Sequence, residues 1–233
     1  MAAFTPMMQQ YLDIKNQYKD CIMFYRVGDF YEMFFDDALT ASKALEITLT
    51  GKDCGQEERA PMCGVPYHAY EVYANRLIEQ GYKVAICEQV EDPKQAKGLV
   101  KRDVIQIITP GTNLSTQNLK EGQNNYIMSI YAFDNAYGIA VADITTGEAR
   151  TCQVTSQEKC KDEINKYQPS EIICNETLLC QDWDWDYYRE RLHITISAID
   201  DWHFNEEQAE NCLLKHFKVQ SLEALGLKDR SLT

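Results

Sequence analysis

Residues 22–34 read Ile22-Met23-Phe24-Tyr25-Arg26-Val27-Gly28-Asp29-Phe30-Tyr31-Glu32-Met33-Phe34. β-Branched and aromatic side chains on both sides of Gly28-Asp29 favour strands, and Gly-Asp between them is a compact turn signal. The stretch is therefore expected to be a hairpin. Upstream, Thr5-Pro6 opens a helix, Thr capping the free amides and Pro suiting the first helical position. Met8, Tyr11, Leu12, Lys15 and Tyr18 follow at helical spacing and give it a mostly apolar stripe. Downstream, Asp36-Asp37 start a second helix running to about Leu45, since acids favour a positive helix N-terminus. A short strand is expected at Ile47 to Leu49, a polar loop from Gly51 to Arg59, and an extended segment from Pro61 to Pro66. Tyr70 to Gln80 reads as an amphipathic helix closed by Gly81. Val84 to Val90 and Val104 to Thr109 read as strands, joined by a charged connection from Glu91 to Lys101.

The texture changes after Thr109-Pro110-Gly111-Thr112. A polar run from Ser115 to Asn125 marks a domain boundary, with residues 1–113 as one domain, 114–124 as linker and 125–233 as a second domain. The second half gives three strands with short turns: Tyr126 to Ala132, Gly138 to Asp143 and Glu148 to Val154. Ser156 then caps a helix to Tyr167. Glu171 to Cys174 and Ile194 to Ile196 are strands, and Glu206 to Phe217 is the last clear helix. The fold class is mixed α/β: a mixed-sheet N-terminal domain with surrounding helices, then an RNase H-like α/β domain. Fold likeness of that kind carries no function by itself.

Composition bounds the partners. The 233 residues are 45% hydrophobic and 25% charged, which suits packed globular domains. The net charge of −13 argues against a generic DNA-coating protein, because non-specific affinity comes from Lys and Arg displacing counterions from phosphates. Residues 1–115 hold 12 Lys and Arg against 16 Asp and Glu, residues 116–233 hold 11 against 20, so the second half is the poorer candidate for touching phosphate. Nine cysteines without a C-x-x-C pair suit free thiols in a reducing compartment better than a disulfide framework or a zinc site. No secretory signal and no apolar run of membrane-spanning length is visible, and a cytoplasmic location is expected.

Phe30 and Glu32 lie two apart on a strand and so project from one face, just after the turn. A ring beside a carboxylate is a poor pair for a dry core. It is a good pair for probing a base stack: the ring wedges between base steps, and the acid hydrogen-bonds a displaced base edge. Apolar wedges bend duplexes from the minor groove, at a cost of about a few kcal/mol per unstacked step that falls where a base is already mispaired. Aromatics in strands are more often core, as Phe24, Tyr25, Phe34 and Phe35 are expected to be, and periodicity alone leaves Phe30 open between the two roles.

Five ordered blocks resemble the N-terminal mismatch-binding domain of the bacterial MutS family: Thr5 to Tyr11, Phe24 to Glu32, Pro61-Met62-Cys63-Gly64-Val65-Pro66-Tyr67-His68, Cys87-Glu88-Gln89-Val90, and Thr109-Pro110-Gly111-Thr112. The resemblance continues more weakly into the family's connector domain, as in Ala142-Asp143-Ile144-Thr145-Thr146-Gly147. It implies that Phe30 is the intercalating phenylalanine and Glu32 the glutamate that hydrogen-bonds the mismatched base. It places Lys52 and Arg102 where the family has basic contacts to the DNA backbone, and Met62 in the groove near Phe30. For Lys52 and Arg102 ordinary surface charge, and for Met62 a core position, remain alternatives. Tyr67 and His68 read as structural, since no nucleophile or metal partner is spaced with them. The partners implied are mismatched double-stranded DNA, a MutL-type protein through the connector, and a second copy in a full-length homodimer. No G-x-x-x-x-G-K-[ST] phosphate loop occurs in the sequence. The ATPase, with its ATP and Mg, is thus expected outside this chain, which reads as a binding fragment with no cofactor or metal of its own.

Two rivals belong to other classes. Asp143, on a central strand of an RNase H-like fold, stands where nucleases of that fold keep a metal-binding acid, but catalysis of that kind needs several converging carboxylates. Asp182, Asp184 and Asp186 alternate with Trp183 and Trp185 as a solvated, aromatically anchored segment. Alternatively, the acidic second half is a protein-docking module.

Overall fold

A computed structural model describes residues 4–91, 98–113 and 124–227. The chain divides into two compact units, Met1–Ser115 and Thr116–Thr233. The expected linker lies, apart from Asn124, outside the described residues, as does most of the charged connection after Glu91.

The first unit is built on a mixed six-stranded sheet. Its strands are β1 (Cys21–Val27), β2 (Phe30–Phe34), β3 (Thr50–Lys52), β4 (Ala60–Pro66), β5 (Lys83–Gln89) and β6 (Arg102–Ile108), in the order β3-β4-β2-β1-β5-β6. Only β1 and β5 are parallel neighbours; the others are antiparallel. β1 and β2 form the expected hairpin. Gly28 takes the turn with φ +58, a conformation L side chains rarely adopt.

Period-two alternation gives the sheet two cores. Ile22, Phe24, Tyr31 and Met33 point to one face, with Cys63, Val65, Val84 and Ile86, under α2 (Phe35–Leu45) and α3 (Tyr70–Glu79). Met23, Tyr25, Phe34 and Cys87 point to the other, where Met8 and Tyr11 of α1 (Pro6–Lys15) cover them. Helix α1 starts as expected: Thr5 accepts from the Met8 amide, and Pro6 holds the first position.

The expected strand at Ile47 to Leu49 is displaced. Glu46 ends α2 in the left-handed region at φ 57, and the Ile47 amide folds back onto the Ser42 carbonyl at 3.0 Å. Ile47 is thereby drawn onto the core as a helix-end hydrophobe, and pairing begins only at Thr50, just past the expected strand, and runs on to Lys52 in the first residues of the expected loop.

Asp37 ties α1, α2 and the sheet together. Its Oδ2 accepts from the Met23 amide at 2.9 Å and the Tyr11 hydroxyl at 3.3 Å, and its Oδ1 meets Lys15 Nζ at 2.9 Å. Burial pushes this carboxyl above its usual range, against the opposing pull of the Met23 amide and Lys15.

The second unit is a five-stranded sheet ordered β11-β10-β7-β8-β9. β7 (Tyr126–Phe133), β8 (Ala136–Asp143) and β9 (Glu148–Val154) form an antiparallel meander. β10 (Glu171–Cys174) and β11 (Thr195–Ala198) add in parallel beside β7. Three antiparallel strands followed by two parallel ones is the expected RNase H-like arrangement. Ser156 caps α4 (Gln157–Tyr167) by accepting from the Lys159 amide. A short α5 (Glu176–Leu179) and one π-helical turn at Tyr187–Arg191 follow, then α6 (Glu206–Phe217). Trp183 and Trp185 stack with centroids 4.7 Å apart. Trp183 is buried, while Asp182, Asp184 and Asp186 are exposed around the pair.

Asp143 is 1% exposed and both its oxygens are engaged by the turn that follows β8 and by the start of β7. Oδ1 accepts from the Thr145 amide at 2.8 Å and the Thr145 hydroxyl at 2.6 Å, and Oδ2 from the Asn125 amide at 3.2 Å. Burial raises this carboxyl, but the donors from Thr145 and Asn125 outweigh it and hold the group below its ordinary 3.8.

Two outcomes follow from these carboxylates. Removing Asp37 leaves the Met23 amide buried without an acceptor, so Asp37→Ala is expected to lower the stability of the first unit by about 2–3 kcal/mol. Asp37→Asn, which keeps an acceptor, should cost less. Calorimetric melting of the variants checks this, and a loss under about 0.5 kcal/mol contradicts it. Because the folded pKa of Asp143 is depressed, its contribution is full above 3.8 and is lost as pH falls through the lower folded value. All three tryptophans lie in the second unit, so tryptophan fluorescence reports that unit alone. Acid titration should show Asp143→Asn already destabilised at neutral pH and with a shallower loss below about pH 4 than the parent; parallel curves contradict it.

Candidate nucleic-acid interface

The turn at Gly28-Asp29 sets Val27 opposite Phe30 and Tyr25 opposite Glu32. On the other side of β2, Phe30 faces Pro66 and Glu32 faces Gly64. Phe30, Glu32 and Phe34 share the α1 face of the sheet, with different fates. Phe34 is fully buried, Glu32 half-buried, and Phe30 is 48% exposed. Tyr11 of α1 packs edge-on against Phe34 at 4.9 Å and Tyr25 at 5.4 Å. The face thus runs from a covered core at Phe34 to an uncovered ring at Phe30.

The opposite face braces the hairpin tip. The Arg26 guanidinium lies 3.9 Å from the Tyr67 ring centroid, and its Nε donates to the Gly28 carbonyl at 2.5 Å. Arg26 also pairs with Glu88 at 3.4 Å, and Glu88 accepts from the Tyr31 hydroxyl at 2.7 Å. Burial, then this bond to Glu88, pushes the Tyr31 hydroxyl well above its ordinary value. The Tyr67 amide donates to the Asp29 carbonyl at 3.0 Å. A cation, a carboxylate and two tyrosine rings therefore hold the turn from behind, and Tyr67, read from sequence as structural, belongs to this brace.

The other expected site residues are placed as follows. Lys52 Nζ pairs with Glu32 Oε2 and lies 5.7 Å from the Phe34 ring centroid. Arg102 is 8% exposed. Its Nε donates to the Arg26 carbonyl at 2.7 Å, its Nη1 to Gln10 Oε1 at 3.1 Å and to the Val100 carbonyl at 3.0 Å, and its guanidinium sits 5.0 Å from the Tyr25 ring. Tyr25, whose hydroxyl donates to Gln10 at 2.6 Å, is pushed up to about 12 by burial, against the pull of Arg102. Arg102 thus links β6, β1 and α1 from inside. Met62 is half-buried opposite Phe34 and Thr50 and packs on the α1-side core, four residues along β4 from Pro66, the neighbour of Phe30.

The structure therefore brings Phe30, Glu32 and Lys52 together on one face, while Arg102 is buried among β6, β1 and α1 and Met62 lies further along β4. Gly64 is part of the same constellation. A Cβ there would stand 3.3 Å from the Tyr31 carbonyl and 3.7 Å from Glu32 Cγ, so glycine keeps the space beside Glu32 open. Sequence reasoning missed Arg26, Glu88 and Gly64; the one signal for them was their place inside the quoted blocks. Among the described residues, no group of three or more His, Cys, Asp or Glu is arranged to hold a metal, and no helix is long and apolar enough to cross a membrane.

Comparison with known proteins agrees with this architecture. Residues 5–117 match the family model for MutS domain I, and residues 125–233 that for MutS domain II. A DNA mismatch repair protein MutS from Lachnoclostridium phytofermentans is 60% identical over 232 residues, covering 100% of this chain and 25% of that protein. Those from Acetivibrio thermocellus and Clostridioides difficile are 54% and 49% identical, covering 96% and 100% of this chain and 26% and 24% of theirs. The chain spans about a quarter of the length of the curated relatives it matches. With both family models matched in order and relatives of this likeness along its length, the chain belongs to the MutS family and carries its domains I and II.

Proposed function

We propose that this chain recognises mismatched base pairs in double-stranded DNA during mismatch repair. In this account Phe30 wedges into the base stack and Glu32 contacts the mispaired base. The observation that carries it is the half-exposed Phe30 ring at the open end of a face whose other aromatics are buried, with Glu32 beside it and a rigid brace behind. A wedge must not fold back when it meets stacked bases, and the Arg26–Glu88–Tyr67 network opposes such movement. Recognition then depends on the softness of the step rather than on a base code, because unstacking costs least at a mispair. The acidic composition fits a narrow site of this kind, not a broad basic track.

The chain itself acts in this account as a binding module in the cytoplasm. ATP and Mg would be handled by an ATPase outside it, a MutL-type partner would dock on the second unit, and the full-length protein would act as a homodimer. Support for the docking role is the greater acidity of residues 116–233, which suits a protein partner better than DNA.

The test is the affinity ratio for a mismatched and a matched duplex at one salt concentration, measured on the protein expressed from its natural gene. Phe30→Ala should lose the preference, since base–aromatic stacking is worth about 1–3 kcal/mol per base. Glu32→Ala should keep or raise matched affinity, because it removes a negative charge near phosphates and leaves Lys52 uncompensated, while the ratio falls. Glu32→Gln removes the charge but keeps a hydrogen-bonding side chain, and should retain much of the mismatch affinity. Unchanged discrimination in Phe30→Ala returns that ring to an ordinary surface aromatic and ends the account.

A further inference from the structure

We propose that Lys52 is a positioning residue for Glu32, an internal counter-ion that aims the carboxylate rather than a contact to phosphate. The inference rests on the reading above that Glu32 meets the mispaired base.

Three features carry it. Lys52 comes from β3 and Glu32 from β2, with β4 lying between them in the sheet. The lysine must therefore extend across β4 to reach its partner, and it does so over the Phe34 ring. Both side chains are largely shielded, at 27% and 14% exposed, so the pair is not a loose surface contact. A carboxylate that shielded is costly without a partner, and among the described residues Lys52 is the cation within ion-pair distance of it. The local backbone is arranged to permit the pair. β3 is pinned to β4 by the register Thr50–Met62, Gly51–Pro61 and Lys52–Ala60, and Gly64 withholds a side chain beside Glu32.

The geometry divides the carboxylate's two oxygens. Lys52 engages Oε2, and among the described residues no hydrogen bond is made to Oε1, which stays available to a base edge. The pair also lessens the repulsion that a lone carboxylate would meet on approaching a polyanion, so Glu32 can sit close to DNA while keeping its acceptor. A lysine serving as a phosphate contact would instead have its ammonium turned to the backbone, and would add the same affinity at matched and mismatched sites.

A four-protein cycle separates these roles: the parent, Lys52→Met, Glu32→Gln, and the double variant. The probes are a duplex with one G·T mismatch and the matched duplex of the same sequence. Lys52→Met should lower the mismatch-to-match affinity ratio by about two- to fivefold, the range of a partly exposed ion pair. In the Glu32→Gln background the same change should leave the ratio where it was, because its target is gone. Equal weakening of both duplexes by Lys52→Met, with the ratio unchanged, makes Lys52 a phosphate contact and overturns the proposal. So does a drop in ratio of the same size in both backgrounds. Phe30→Ala, run alongside, tells the two failures apart. If Phe30→Ala abolishes the preference and Lys52→Met spares it, only the role of Lys52 falls. If Phe30→Ala also spares it, or the parent shows none, the recognition reading and the Lys52 proposal fall together.

Discussion

The site depends on a register. Val27 pairs with Phe30 across Gly28-Asp29, and every side chain of β2 takes its face from that pairing. A slip of one residue would send Phe30 and Glu32 to the α2–α3 side and bring Tyr31 and Met33 out onto the other. Three separate features oppose the slip. Gly28 at φ +58 accepts a turn geometry that other residues resist. Tyr31 and Met33 bury on the helix-covered face. The Asp29 carbonyl and the Gly28 carbonyl are each held by a donor from the brace, the Tyr67 amide and Arg26 Nε.

From that register the rest of the unit follows. One face carries the larger core under two helices, and α1 covers only part of the other. Asp37 holds α1 in place through a backbone amide, a hydroxyl and an ammonium. Outside the part of the face that α1 covers, Phe30 stands exposed, with the shielded Glu32–Lys52 pair beside it. Phe35 marks the end of the covered stretch with φ +51, a left-handed conformation costly for an aromatic residue, and its ring packs edge-on to Phe4 at 6.3 Å. The chain thus turns sharply from β2 into α2 directly after the buried Phe34.

Much of this was legible in the residues, and what was not has physical reasons. The hairpin, the capped α1 and α4, and the meander from Tyr126 announce themselves through local chemistry: a Gly-Asp turn, Thr5-Pro6, Ser156, and alternation. Phe30 and Glu32 sharing a face follows from strand period alone. The exposure of Phe30 did not, because it depends on where α1 ends in space. The Lys52–Glu32 pair was hidden for the same reason: it joins strands that are separated by β4 in the sheet, and its two residues stand 20 positions apart in sequence. Arg102, expected near phosphate, is drawn inward by the carbonyls of Arg26 and Val100, partners that no local pattern discloses. The strand after α2 was misplaced because Ile47, apolar and β-branched, is used to close the helix rather than to start a strand.

The central claim is that the Phe30 ring enters the base stack at a mispair. It is tested most directly by fluorescence of 2-aminopurine placed next to the mismatch, with protein added to saturation. Stacked 2-aminopurine is quenched, so a wedge should brighten it at the mismatch and leave it dim in the matched duplex, and Phe30→Ala at saturation should leave it dim in both. Equal brightening with and without the Phe30 ring, or none with the parent protein bound at the mismatch, would contradict the account.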